Sequence, residues 1–277
     1  TRDMQHTTPM NRLIQGDVGS GKTLVAVAAA LHAIANGFQV AFMVPTELLA
    51  EQHYQNLQHW LEPLGIETVF ISGTQTPRQR RRKVENLLLG IGNIAVGTHA
   101  LFQNSVEFLQ LGLIIIDEQH RFGVAQRAKL WAKNVIPPHI LVMTATPIPR
   151  TLAMSFYSDL DVSVIDEMPV GRKPIVTAHR KEKDRLFVFN FAKEEIAKGR
   201  QIYFVYPLIE ESETLDYKNL NEGFDTVKEF FPVPDYDVVM LHGKMKPDEK
   251  DAAMQYFASG KAQIMVATTV IEVGVNV

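Results

Sequence analysis

The feature that most constrains the fold is a run of eight residues near the start of the chain: Gly16, Asp17, Val18, Gly19, Ser20, Gly21, Lys22 and Thr23. An apolar stretch, 12–15, precedes it, and a long apolar-periodic stretch, 22–36, follows. Glycines at the first, fourth and sixth positions, then Lys and Thr, suit a loop that leaves a strand and opens a helix. Glycine removes the Cβ atoms that would keep phosphate oxygens from the backbone. The freed N–H groups form a concave anion nest at a helix N-terminus. Lys22 is expected to place its charge on the β- and γ-phosphates of a nucleoside triphosphate, and Thr23 to offer a hydroxyl to Mg²⁺. A strand–loop–helix of this kind belongs in an α/β sheet with ligands at the strand ends.

The rest of the chain continues that pattern. Short apolar runs at 40–44, 68–71, 94–97, 113–117 and 140–144 read as strands buried on both faces. Stretches 46–61 and 77–89 between them read as helices. Strands alternating with helices imply a parallel sheet covered on both sides. The stretch 166–174 contains two prolines, a glycine and several charges, and reads as a linker. Beyond it the alternation restarts: helix 184–198, strand 201–205, an acidic helical or loop region 210–231, strand 237–241, helix 247–259 and strand 263–267. The expected architecture is α/β with two P-loop lobes: 1–165 as the ATP-binding lobe, 166–174 as a linker, and 175–277 as a second, unfinished lobe.

Composition narrows the field without choosing within it. With 46% hydrophobic and 21% charged residues, the chain is ordinary for globular proteins. The absence of cysteine removes disulfides, thiolate zinc sites and cysteine nucleophiles together, and fits a reducing cytoplasm. No apolar run is long enough to span a bilayer. A net charge of −3 leaves any nucleic-acid contact to a local track of donors. The polar start and the apolar end of the chain read as cuts in a longer protein.

A second chemical signal closes the apolar run 113–117, where three consecutive isoleucines lead into Asp117, Glu118, Gln119 and His120. Adjacent side chains at a strand tip point to different sides. One can therefore serve a metal and the other a water: Asp117 is expected to hold Mg²⁺, usually through water, and Glu118 to orient and deprotonate the attacking water. The basic run Arg78 to Lys83 shares a helix with Val84, Leu87 and Leu88, and reads as a solvated helical face.

Together these strings resemble superfamily 2 helicases. Asp117-Glu-Gln-His120 resembles their motif II, Val44-Pro-Thr46-Glu-Leu-Leu motif Ia, Gly97-Thr98-His99 motif Ib, and Thr144-Ala-Thr146-Pro147 motif III. Leu241-His-Gly243 and Val266-Ala-Thr268-Thr269 through Gly274 resemble motifs IVa and V. The longer strings from Gln15 to Thr23, Asp117 to Val124, Met143 to Leu152, Val164 to Arg172 and Leu208 to Ser212 resemble the RecG family of branched-DNA helicases. The resemblance implies an ATP- and Mg²⁺-dependent motor, monomeric and cytoplasmic in bacteria, that acts on forked or Holliday DNA through its phosphate backbone. It implies coupling roles for His120, Thr144 and Thr146, and backbone contacts for Thr46, Thr98, His99, Thr268 and Thr269. The motor of a transcription-repair coupling factor and a non-motor P-loop NTPase remain alternatives. Two departures stand out: the chain stops before motif VI, whose arginine would reach the γ-phosphate, and Asn276 stands where many relatives carry aspartate. Feeble turnover by residues 1–277 alone is the expectation.

Overall fold

In the computed structural model the described residues are 2–6, 8–73, 75–103, 105–118, 137–146, 160–167, 175–206, 213–243 and 245–268. The chain divides into two compact units, Thr1–Lys173 and Pro174–Val277. Residues 168–174 of the expected linker lie outside the described residues.

Among the described residues the first unit has seven strands: β1 (Asn11–Gly16), β2 (Gln39–Met43), β3 (Thr68–Ile71), β4 (Ile94–Gly97), β5 (Leu111–Asp117), β6 (His139–Thr144) and β7 (Asp161–Ile165). They form one sheet in the order β3-β4-β2-β5-β6-β1-β7. Every pairing is parallel. Three helices connect the early strands: α1 (Lys22–Ala35), α2 (Glu47–Leu61) and α3 (Pro77–Leu88). Strands β2 and β4 are buried along their whole length, as expected of parallel strands covered on both faces. Leu13, Met43, Ile71, Leu87, Ile114 and Ile116 meet in the core of this unit.

Local chemistry sets the helix starts. Thr46 follows Pro45 and caps α2, its side chain accepting from the Leu49 N–H at 3.4 Å. Thr76 and Gln79 form a reciprocal capping box around Pro77 at the first turn of α3. At the other end of the sheet Gln39 is 4% exposed yet fully used. Its Nε2 donates to the Leu87 and Gly92 carbonyls at 2.8 and 2.7 Å, and its Oε1 accepts from the Gln110 N–H at 3.0 Å.

The expected elements are present, with ends displaced by one or two residues. Strand β7 is an addition that the apolar pattern does not announce. Its sequence, Asp-Val-Ser-Val-Ile, belongs to a partly exposed sheet edge. Arg12 on β1 secures it: Nη1 donates to Ser163 Oγ at 2.7 Å, Nη2 to Asp161 at 3.4 Å, and Nε to Asp3 at 2.6 Å.

The second unit holds β8 (Ile202–Tyr206), β9 (Val238–Leu241) and β10 (Ile264–Thr268), all parallel, in the order β8-β10-β9. Its helices among the described residues are α4 (Arg185–Ala197), α5 (Glu213–Phe230) and α6 (Pro247–Ala258). The acidic stretch, open between helix and loop in the sequence, is therefore helix over most of its length. Phe189, Leu220, Phe231 and Val266 share one core cluster here. Among the described residues no helix is long and apolar enough to cross a membrane.

Candidate active site

Three strands bring the candidate residues to one edge of the first sheet. β6 lies between β1 and β5. Gln15 on β1 sits opposite Thr144 on β6, and Asp117 on β5 sits opposite Met143 on β6. The ends of β1 and β5 are therefore nearly level and two strand spacings apart, about 10 Å. That separation suits a phosphate chain reaching from the loop toward the carboxylates.

The loop has the backbone its glycines permit. Gly21 has φ +90° and caps α1 without a side chain. The first amides of a helix have no partner within it and are available to an anion. Gly16 is glycine for a further reason. A Cβ there would lie 2.6 Å from Ser20 Oγ and 3.1 Å from the Ile165 Cβ of β7. Lys22 Nζ donates to the Gly16 and Asp17 carbonyls, both at 2.9 Å, so the ammonium is held at the mouth of the loop. Asp17 Oδ1 accepts from the Val18 N–H at 2.7 Å, and the Asp17 carbonyl from the Ser20 N–H at 3.1 Å. Ser20 Oγ is buried with no partner among the described residues. Thr23 stands in the first turn of α1, half-buried.

The two carboxylates at the end of β5 meet different partners. Glu118 has φ +50°, the left-handed region, which costs an L-residue about 1–2 kcal/mol. Hydrogen bonds from both its backbone and its side chain hold it there. Its N–H donates to the Met143 carbonyl at 2.9 Å and to Asp117 Oδ1 at 3.1 Å. Its carboxylate accepts from the Ala145 N–H at 2.9 Å and from Thr144 Oγ1 at 3.2 Å. Thr144 Oγ1 in turn accepts from the Thr146 N–H at 3.1 Å. The two threonines of the motif III string thus form one network with Glu118.

Asp117 turns to the other side, where its Oδ2 lies 3.2 Å from His53 Nε2 on α2. Sequence reading missed His53. The available signal was its place on the inner stripe of α2, three residues after buried Ala50 and four before buried Leu57. The Thr23 hydroxyl and the Asp117 carboxylate are both hard oxygen donors. They fit Mg²⁺, which takes few protein ligands and completes its shell with phosphates and water.

The remaining candidates divide by exposure. Thr46 and Thr98 follow the C-terminal ends of β2 and β4, on the same sheet edge as Gly16. Thr46 is half-buried and engaged as the cap of α2, while His99 is exposed. Thr98 is only 3% exposed, so its side chain offers almost no surface to a phosphate. Thr268, at the end of β10 in the second unit, is 4% exposed, with Oγ1 buried and unpartnered among the described residues. His120, Thr269 and Asn276 lie outside the described residues. A second unforeseen residue is Glu47, whose Oε1 accepts from Ser72 Oγ at 2.8 Å and from the Gly73 N–H at 2.9 Å. It ties the start of α2 to the loop after β3. In the basic run of α3, Arg80 is satisfied by the Ala100 carbonyl and Gln103, and Arg78, Arg81 and Arg82 face solvent.

Comparison with known proteins gives this geometry a family. The DEAD/DEAH box helicase model matches residues 4–155, and the helicase conserved C-terminal domain model matches 179–277. The ATP-dependent DNA helicase RecG of Escherichia coli strain K12 is 52% identical over 280 aligned residues, covering the whole chain and 40% of that protein. RecG of Aquifex aeolicus is 49% identical over 276 residues, covering 99% of the chain and 34% of that protein. The chain thus spans well under half the length of these relatives. Among solved structures, RecG bound to a three-way DNA junction matches with a TM-score of 0.77 and 41% identity, over the whole chain and 35% of the other. The DNA-bound helicase MrfA, at 21% identity and a TM-score of 0.70, shares the fold over 96% of this chain and 41% of its own. The two matched models lie one in each unit, and both units have the parallel, helix-covered sheet of RecA-like helicase domains. The chain belongs to the DEAD/DEAH box helicase family and resembles RecG over its entire length.

Proposed function

We propose that this chain is the ATP-driven motor portion of a RecG-type helicase that moves on branched DNA, at stalled forks and Holliday junctions. The observation that carries the proposal is the alignment of three strand tips. β1 delivers the phosphate loop, β5 the carboxylate pair, and β6 the threonines that lock Glu118. The lobes are assigned to 1–165 and 175–277, joined by 166–174. The motor works as a monomer in the bacterial cytoplasm.

In this reading Gly16 to Thr23 cradle the triphosphate, with backbone amides and Lys22 meeting its charge. Thr23 and Asp117 would hold Mg²⁺, which would add charge neutralisation on the phosphates. Glu118 holds the attacking water and takes its proton. Its carboxylate is anchored to Thr144 and Ala145, so its reach is set by the β6 tip and not by a free rotamer. Thr146 joins the same network, which makes the motif III threonines the route by which events elsewhere reach the base. DNA is gripped through backbone phosphates at the ends of β2, β4 and β10, where Thr46, Thr98, His99 and Thr268 stand, and by Thr269. Phosphate contacts of this kind position without reading sequence. Because Thr98 and Thr268 are buried, the grip there falls on main-chain N–H groups and His99.

The test is hydrolysis by the whole protein with linear duplex, forked and four-way junction DNA. Stimulation by the branched forms above the linear duplex is the expected result. Equal rates with and without every branched substrate would overturn the proposal.

A further inference from the structure

A polar side chain on the buried stripe of a helix needs an explanation, because an unsatisfied one is costly. His53 occupies such a place on α2. Its side chain is 13% exposed and packs against Phe42 of β2, with ring centroids 4.9 Å apart. Apolar neighbours on the same stripe, Ala50 and Leu57, are buried. A leucine would satisfy the packing. What an imidazole adds is Nε2, which lies 3.2 Å from Asp117 Oδ2. Nδ1 is buried and has no partner among the described residues, so Asp117 is the polar neighbour of a ring otherwise set by its packing on Phe42.

The consequence for Asp117 is specific. Its Oδ1 accepts from the Glu118 N–H at 3.1 Å, and its Oδ2 faces His53. Each carboxylate oxygen therefore has a neighbour at the strand tip, the Glu118 N–H at one and the His53 ring at the other. One comes from its own chain turn. The other comes from α2, the helix that begins just after Thr46, at the end of β2. The Asp117 side chain is only 16% exposed.

We propose that His53 is the positioning residue for Asp117: it sets the carboxylate in the orientation that meets the nucleotide-bound Mg²⁺, and it ties that orientation to helix α2. The role rests on the reading of Asp117 as the metal-facing carboxylate. Groups that orient a ligating carboxylate influence metal affinity strongly, although they do not touch the metal.

The experiment uses the whole protein and its variants H53L, H53N and H53Q. Binding of N-methylanthraniloyl-ADP is measured in EDTA and across a Mg²⁺ titration, with a thermal melt for each variant. H53L fills the space without a donor. H53N keeps an amide too short to reach Asp117, and H53Q places an amide N–H close to where Nε2 stands. In EDTA all four proteins should bind the probe alike. The Mg²⁺ midpoint should rise about 10–100-fold in H53L and H53N, and H53Q should return most of that shift. If H53L does not fold, the contrast between H53N and H53Q carries the same expectation. An unchanged Mg²⁺ midpoint in H53L or H53N would overturn this role alone, as would H53Q shifting as far as H53N. A wild-type protein that binds the probe with no response to Mg²⁺ would overturn the role of His53 and the reading of Asp117 together.

Discussion

Glu118 offers a direct test of how the site is built, because its chemistry and its structural holds can be separated. The residue carries a left-handed backbone, φ +50°, at a cost of about 1–2 kcal/mol. Its carboxylate receives two hydrogen bonds, from the Ala145 N–H at 2.9 Å and Thr144 Oγ1 at 3.2 Å. In Glu118→Gln the amide oxygen still accepts from Ala145. The amide nitrogen can donate to Thr144 Oγ1, which has a second lone pair beside the one used by the Thr146 N–H. Both bonds survive, one with its direction reversed, and each loses its charge assistance. The expected stability loss is about 1 kcal/mol. Glu118→Ala removes both bonds and keeps the strained backbone, for about 3 kcal/mol. Hydrolysis responds differently. Loss of a general base lowers the rate about 10²–10⁴-fold, roughly 3–5 kcal/mol of barrier, in both variants. Urea denaturation, fluorescent-nucleotide binding and single-turnover hydrolysis measure the three quantities. Glu118→Gln should bind nucleotide as the wild type does, unfold near it, and fail to turn over. Turnover by Glu118→Gln close to the wild-type rate would refute the assignment of the base. Equal stability of the Gln and Ala variants would refute the account of the β5–β6 lock.

Other perturbations are sharper in one dimension each. Lys22→Ala removes the ammonium that bridges the Gly16 and Asp17 carbonyls, and nucleotide affinity measured by calorimetry should fall about 100-fold. Gly97→Ala would place a Cβ 2.3 Å from the Ile71 carbonyl oxygen of the neighbouring strand, so β3 and β4 must part; the urea midpoint should drop by an amount worth about 1–3 kcal/mol. His139 gives a pH signature. Burial holds its pKa below the ordinary histidine value, and its Nδ1 accepts from the Met10 N–H at 2.8 Å. The unfolded chain takes up this proton more readily than the folded one. The contribution is therefore complete above the unfolded pKa, about 6.5, and is lost as pH falls through the lower folded pKa. Thermal melts of wild type and His139→Asn, which keeps an acceptor but does not titrate, should diverge below that pH and run parallel above it.

What the sequence discloses depends on how far apart the cooperating residues lie. The central strands were legible because burial on both faces leaves unbroken apolar runs, as in β2 and β5. The start of α2 was legible because Thr46 caps it within three residues of itself, whereas the capping box of Thr76 and Gln79 on α3 went unread. β7 was not legible, since Asp161-Val-Ser-Val-Ile owes its place to Arg12, 149 residues from Asp161. The phosphate loop is the extreme local case: an anion nest folded from eight consecutive residues has its chemistry written in their order alone. Yet even Gly16 carries a demand from outside the loop, the approach of Ile165 on β7.

The carboxylates are the opposite case. Residue types at a strand tip announce an acid pair, but its working geometry is assembled from β6 on one side and α2 on the other. The left-handed backbone of Glu118 is held only in part by its neighbour Asp117; the other holds come from Met143, Thr144 and Ala145 on and just after β6. Nothing local marks His53 as a partner of Asp117, except that a polar ring interrupts an apolar stripe. Such interruptions are where a long-range contact leaves a trace in the sequence, because burial makes an unpartnered polar group expensive. The burial of Thr98 shows the converse. Its place after β4 suggests an offered hydroxyl, but the same strand end that makes it available to a ligand also packs it against the sheet, at 3% exposure. Position at a functional edge therefore fixes which main-chain groups face a ligand, whereas which side chains do so is decided by packing that residue spacing does not encode.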